Sequence, residues 1–562
     1  MAETLKLGNG EWATKDGSLL AYNNESGNYK PLPFDFTRAS SATVVNKAGL
    51  IETVQSGIPR IDFLGNTNGA LLLEPQRTNL ITQSEAFGIS YWTKSGATIE
   101  GDASTAGSEL IINVSRNSDF SAGATNWSDA GNHTVSVVSS ELQVVSSGVG
   151  GNSSNAATLL SASYVNTLTN GVMYKYTFSA RASTGTPTLR VRPPFETGPT
   201  TSDFVLSTSM QEFTFYGTRE NLDNAFFSLL SAGTFYIDNV SVKEVQGFTS
   251  PSADSPLNAF KLVEDTSTGQ HNTSSTVLVN AGDNSFSMYV KANGRRYISL
   301  YTNSRGSEND QYGFDLNGVG SVTYMNTNGS ATITSLNNGW YRVTITHPST
   351  GFNTRLWRIY TSDVEVTSAT LPSYTGDGTS GVYIFGAQLE QASYPTSYIP
   401  TQGSTVTRVA EVCSDAGNDQ VINSTEGVLY VEGSALADDF VDKRIAISDG
   451  STNNYVSIGY SRFAGNIIAE IWSGGVNQVV NWGATGVTKT NNNKFALSWG
   501  SGTMKFYING TQTNTESATS PIGMNVLDFT SGNGTLPMYA NTKDVRVYNT
   551  ALTDAELITL TT

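Results

Sequence analysis

The sequence predicts an all-β chain built from several antiparallel β-sandwiches in tandem, on three observations. Apolar and polar residues alternate over short runs such as "YKYTFSARA", "NSFSMYVKA", "GWYRVTITH" and "MKFYING", which buries one face of each run. Clusters of Gly, Asn, Asp and Ser separate the runs, and only 14% of residues are charged, a composition of strands and polar turns. Helix signals are scarce; the clearest is "ALTDAELITL", where Thr553 caps a turn and Glu556 stands at the capping-box position.

At 562 residues the chain exceeds a single core and divides into several domains. One cysteine, Cys413, excludes a disulfide framework, and the separated His133, His271 and His347 leave little for a zinc site. A net charge of −16 argues against nucleic acid and anionic membrane surfaces as partners. No apolar run is long enough to span a bilayer, and "MAETLKLGNGEW" lacks the features of a secretory signal, so synthesis in a cytosol is expected.

Taken in order, residues 1–83 are expected to form an irregular N-terminal module. The formula "SEAFGISYW" follows, and it recurs as "NSDFSAGATNW" with Trp92 and Trp127 too close together for two complete domains in series. The second formula is followed by "YKYTFSARAS", "STSMQEFTFYGT" and "GTFYIDNVSVKEV"; the first finds the same succession only later, in "NSFSMYVKANG", "LNNGWYRVTITH" and "SGVYIFGAQLEQA". The expected plan is an outer sandwich of residues 84–110 plus 247–410, with a second sandwich, residues 111–246, inserted into one of its loops. A polar linker is expected over 411–424 and a last sandwich over 425–562. Trp92 and Trp127, at matching positions, are read as core residues.

The inner block, headed by "NSDF" and "NW" and closed by "FYIDNVSVKEV", resembles carbohydrate-binding jelly rolls found attached to glycanases. That resemblance implies an aromatic-lined sugar groove and makes Asp238 a candidate ligand of a structural calcium ion; no other cofactor is expected. The last block, with "STEGVLYVEGSA", "NKFALSWGSGTMKFYINGTQ" and "LPMYANTKDVRVYNTALTDAELITL", resembles laminin-G-like or concanavalin-type lectin sandwiches. The stretch "PLPFDFTRASSATVVNKAGLIETVQSGIPRIDF", then "GALLLEPQRTNLITQSEAF" and the later "YIFGAQLEQASYPTSYIPTQGSTVTR", resembles a module of tailed-bacteriophage structural proteins, the head or tail fibres, including those of crAss-like phages.

No Ser, His and Asp arrangement and no glycine-rich phosphate loop is present, and the adjacent Asp438 and Asp439 suit a turn better than a pair of glycosidase carboxylates, so the chain is read as a non-enzyme. A pyranose stacks its apolar face on an exposed ring. Trp472 and Trp482 in "EIWSGGVNQVVNWG", and Tyr301 and Tyr312 in "SLYTNSRGSENDQYG", are therefore the candidate glycan platforms, with edge or sheet-face packing as the competing role. Arg38, Arg60 and Arg77 either pin the N-terminal module internally or dock it on another virion protein through bidentate contacts.

The resemblances imply a structural fibre or spike of a phage virion, assembled in the host cytoplasm. The N-terminal module would attach to other virion proteins, and the sandwiches would adhere to host-surface or mucus glycans. Fibres of this kind are trimers, so a homotrimer is implied, although no heptad run marks a coiled-coil stalk. The alternatives are a polysaccharide depolymerase and a secreted bacterial glycan-binding protein.

Overall fold

The computed structural model describes residues 3–562 except 24–27, 102–118, 122, 125–126, 130, 132, 149–156, 160–171, 193–201, 219–225, 246, 304–309, 485 and 533. The fold is all-β, a set of antiparallel sandwiches. Two six-stranded sheets face each other around Trp92, Phe286, Trp357 and Leu389, all at most 1% exposed. Thr93–Ser95 pairs in one sheet with Asn272–Val279, and Ala97–Glu100 pairs in the other with Phe260–Glu264. Gly96 makes the step between the sheets at φ 61°, where a Cβ would stand 2.4 Å from the Gln270 carbonyl oxygen. Only glycine fits that approach.

The segment between Glu100 and Phe260 carries two further five-stranded sheets of its own, formed by strands from Trp127–Ser128 to Gly233–Glu244. Their separate core gathers Trp127, Tyr176, Phe178, Phe227 and Ile237. Residues 111–118, where the inner block was expected to begin, lie outside the described residues.

The two ends of the chain share a third sandwich. Its larger, twelve-stranded sheet includes, in order, Val412–Ser414, Asn28–Thr37, Ser18–Asn23, Leu5–Gly8, Ala540–Tyr548, Gly427–Ala435, Asn493–Gly500, Thr503–Ile508 and Thr511–Ser517. A five-stranded sheet led by Lys443–Ser448, Tyr455–Tyr460 and Ile467–Ser473 covers one face. This corrects two expectations. Residues 1–83 are no separate irregular module, because Leu5, Leu7, Leu19, Phe34 and Phe36 join Val431, Phe495 and Val547 in one core. Residues 411–424 are more than a linker, because Val412–Ser414 pairs with Asn28–Thr37 and buries Cys413. The cause is pairing across nearly the whole chain, Leu5 opposite Val547, which no local period reports. The helix Asp554–Thr561 closes the chain, capped by Thr553 with Glu556 in a capping box.

A buried chain of charges joins this sandwich to the outer one. Glu411 accepts from Arg38 Nη1 at 2.7 Å, from Arg60 Nε at 2.8 Å and Nη2 at 2.5 Å, and from the Glu74 amide at 2.9 Å. Arg60 also meets Glu74 at 2.9 Å, and Glu74 meets Arg408 at 2.6 Å. Burial pushes the Glu74 carboxyl up, but Arg408 and Arg60 prevail and hold it at about 2. Glu74 therefore stays ionised through neutral pH.

Removing one partner of a buried pair strands the others in low dielectric, at about 3–5 kcal/mol. Glu411→Gln is accordingly expected to lower the urea stability of the unit containing residues 38–75 by about that amount, with faster amide exchange across Ala42–Val45 and Ile51–Val54. An unchanged urea midpoint and exchange pattern would show that the cluster holds nothing in place.

Candidate functional site

The hairpin Ser330–Ser335 and Trp340–Ser349 lies at the edge of the outer sandwich. Strand alternation sends Ile333, Val343 and Ile345 into or against the core. It sends the intervening residues to the other face, where Ser330 stands opposite Thr346, Thr332 opposite Thr344, and Thr334 opposite Arg342. Direct cross-strand neighbours are about 5 Å apart, so these side chains form a ladder of hydroxyls ending in a guanidinium.

This ladder is one wall of a cavity of about 460 Å³. A second wall comes from the N-terminal segment, through Thr43, Val45 and Leu64, and a third from the terminal sandwich, through Leu436, Ala437 and Thr490. Tyr289, Tyr394 and Tyr398 lie in the floor, each at most 7% exposed. The volume is that of a small-molecule site.

The cavity's polar groups are placed by packing. Arg342 lies with its guanidinium 5.6 Å from the Tyr289 ring centre and donates through Nη2 to Ser287 Oγ at 2.9 Å and to the Thr396 carbonyl at 2.7 Å. Its buried Nε meets no acceptor among the described residues. Asp62 accepts from the Val45 amide at 2.9 Å, and burial pushes its carboxyl up to about 6 despite that bond and the nearby Arg60. Glu74, also in the floor, is committed to Ser397, Arg60 and Arg408. Hydroxyls in a row, the Arg342 cation, the carboxyls of Asp62, Glu74 and Asp438, and apolar edges match a polyhydroxylated ligand that also presents C–H faces.

The residues singled out from sequence fall elsewhere. Tyr312 is fully buried, its hydroxyl 2.6 Å from His347 Nδ1, and His347 Nε2 stands 3.0 Å from Asp310. Tyr301 is 8% exposed, edge-on to Tyr360 and beneath the Arg358 guanidinium. Neither ring offers a face to a sugar, which corrects both assignments: Tyr312 is bonded to a buried histidine inside the core, and Tyr301 packs against Tyr360 and Arg358 of the neighbouring strand. Trp472 is half-buried and stacked on Tyr455, with ring centres 6.1 Å apart at 19°. The backbone of Trp482 pairs with Ala469, and its side chain lies outside the described residues.

Arg38 and Arg60 have side chains at 0% exposure and serve the internal cluster, so neither guanidinium reaches a docking partner. Arg77 is partly exposed, stacks over Tyr394 at 5.4 Å, and sits opposite Arg408 in a short strand pair. Asp238 accepts from the Asn239 amide and side chain at 2.8 and 3.1 Å. Partial burial raises its carboxyl, with Glu141 and Asp119 adding to the shift. Among the described residues no group of three His, Cys, Asp or Glu side chains is placed to hold a metal ion.

Sequence reading missed the ladder, Arg342 and Asp62. The alternation of "SATITS" and "WYRVTITHPS" carries the ladder, but the walls that turn it into a cavity come from distant parts of the chain.

Residues 423–558 match the family Laminin_G_3, described as the concanavalin A-like lectin/glucanases superfamily. No curated protein matches the sequence at a significant level. Among solved structures, a Ruminococcus gnavus IT-sialidase CBM40 bound to alpha2,3 sialyllactose is 18% identical, with 26% of this chain covering 94% of that one at a TM-score of 0.23. The N-terminal CBM22-1–CBM22-2 tandem domain from Paenibacillus barcinonensis Xyn10C is 13% identical, with 54% covering 100% at 0.22. The LG1-3 region of the laminin alpha2 chain is 10% identical, with 68% covering 94% at 0.14.

The raised Asp62 carboxyl has a consequence for stability. Its folded value, about 6, lies above the ordinary 3.8, so ionisation opposes folding and the penalty grows as pH rises through that interval. Asp62→Asn removes the titration: its stability is expected to equal the parent's near pH 4 and to exceed it by up to about 3 kcal/mol above pH 6. Urea melts at several pH values check this, and a pH-independent difference would contradict it.

Proposed function

We propose that the protein is a non-enzymatic glycan-adhesion protein of a phage particle, a head or tail fibre or spike. Its terminal sandwich and N-terminal strands form one body, and the cavity between that body and the outer sandwich takes part of a glycan from a host surface or mucus. The observation that carries the glycan reading is the hydroxyl ladder of Ser330, Thr332, Thr344 and Thr346 facing apolar and aromatic side chains in one cavity. Sugar hydroxyls need such donor and acceptor rows, and sugar C–H faces need the apolar wall. The family match of residues 423–558 supports it. The virion setting rests on the phage-like stretches of residues 31–87 and 383–408, and trimeric copies would add avidity to weak single sites.

An array of bacterial-surface and mucin-type glycans tests the adhesion reading, with Thr332→Val plus Thr344→Val as the paired variant. Valine keeps the branched shape a strand favours and removes the hydroxyls. The parent is expected to bind a subset of the array, and the variant to lose about tenfold or more in affinity at an unchanged Tm, as one to two hydrogen bonds at ~1 kcal/mol each imply. No binding by the parent to any glycan would end the adhesion reading, and equal binding by the variant would remove the cavity from it.

A further inference from the structure

Two loops of the terminal sandwich, residues 436–442 and 461–466, carry aromatic rings into solvent. Phe440 is 67% exposed and Phe463 is 55% exposed, with Val441 at 51%. Phe440 also has φ 56°, in the left-handed region that bulky side chains avoid. An exposed ring held on strained backbone persists only where its surroundings over-determine it.

The surroundings do so through ion pairs. Asp438 pairs with Lys489 and accepts from the Gly465 amide at 3.1 Å, and Asp439 pairs with Lys443. Asp442 accepts from the Arg462 amide at 2.5 Å and stands 3.5 Å from its guanidinium. Lys489 donates to the Ser461 carbonyl at 2.8 Å. Asp438 and Asp442 thus tie one loop to the other, while the two phenyl rings are exposed. The Arg462 guanidinium lies 5.2 Å from the Phe463 ring centre.

We propose that Phe440 and Phe463 form an aromatic subsite that stacks on the rings of a neutral oligosaccharide emerging from the cavity. This rests on the adhesion reading above and extends it to the loop tips. Continuity favours this occupant: Leu436, Ala437 and Asp438 line the cavity, and Phe440 follows two residues later on the same loop, while Thr490 lines it beside Lys489. Charge favours a neutral ligand, because the loops' carboxylates are paired with their lysines and Arg462, and the chain's net −16 repels anionic polymers and anionic lipid. Rigid bracing keeps the ordering cost on binding small.

The test uses the full chain with a panel of neutral β-linked hexasaccharides of glucose, xylose, mannose and N-acetylglucosamine, together with any neutral glycan the array selects. Phe440→Ala and Phe463→Ala are each expected to weaken the best-bound member about three- to tenfold, the range of a lost aromatic stack. Phe440→Asn supplies a control on structure, since Asn tolerates the left-handed region; it is expected to weaken binding while its Tm equals or exceeds the parent's. Unchanged affinity in the alanine variants, where Thr332→Val plus Thr344→Val does lose binding, overturns the subsite and leaves the cavity. A lower Tm in Phe440→Asn with unchanged affinity assigns the ring a structural role and also overturns it. Failure of the parent to bind any neutral glycan overturns the subsite, and failure across the whole array overturns the adhesion reading as well.

Discussion

Glu411 is the residue on which the arrangement of the rest depends. Its two carboxylate oxygens take hydrogen bonds from Arg38, from two nitrogens of Arg60 and from the Glu74 amide, which fills the acceptor positions of the group. Through Arg60 and Glu74 the chain of charges reaches Arg408 and Ser397. Segments far apart in sequence are fixed at one point, and the floor of the cavity is laid over it. A buried cluster of this kind contributes geometry more than net stability, because desolvation offsets most of the attraction. It allows few alternative packings, since each displaced partner leaves a charge unpaired.

The cluster also explains why the N-terminal residues behave as part of two sandwiches at once. Leu5, Leu7 and Phe34 are drawn into the terminal core by strand pairing, while Arg60 is held against Ser397 in the outer sandwich's closing segment. The cavity lies where these constraints meet, so its walls are set by the same contacts that hold the bodies together. The braced loops beside it repeat the pattern at the surface, with Asp438 and Asp442 accepting from backbone amides of the facing loop and Asp439 paired with Lys443.

Much of the strand content was legible, because period-two alternation is local. "NSFSMYVKA" falls within Gly282–Asn293 and "YKYTFSARA" within Met173–Ala182, and the tryptophans of the two matching formulas, Trp92 and Trp127, are both buried. The capping box at Thr553 was equally local. The joining of the chain's two ends was not, because Leu5–Gly8 is four residues long and its partner Ala540–Tyr548 lies at the other terminus. Site residues were less legible still. Tyr312 and Trp472 are aromatic residues near glycines and asparagines in sequence, yet one is bonded to a buried histidine and the other stacked on Tyr455. The cavity is made by threonines and one arginine that look ordinary until other parts of the chain are set across from them.

The central claim is that a glycan occupies the cavity above the Glu411 cluster, and its most direct test is a crystal structure of the full chain with an oligosaccharide it binds. The account predicts sugar density between the hydroxyl face of Ser330–Ser335 and Trp340–Ser349 and the side chains of Leu436 and Ala437, with sugar oxygens within hydrogen-bond distance of Thr332, Thr344 or Arg342. Density confined to another sandwich, with the cavity holding only solvent, would contradict it.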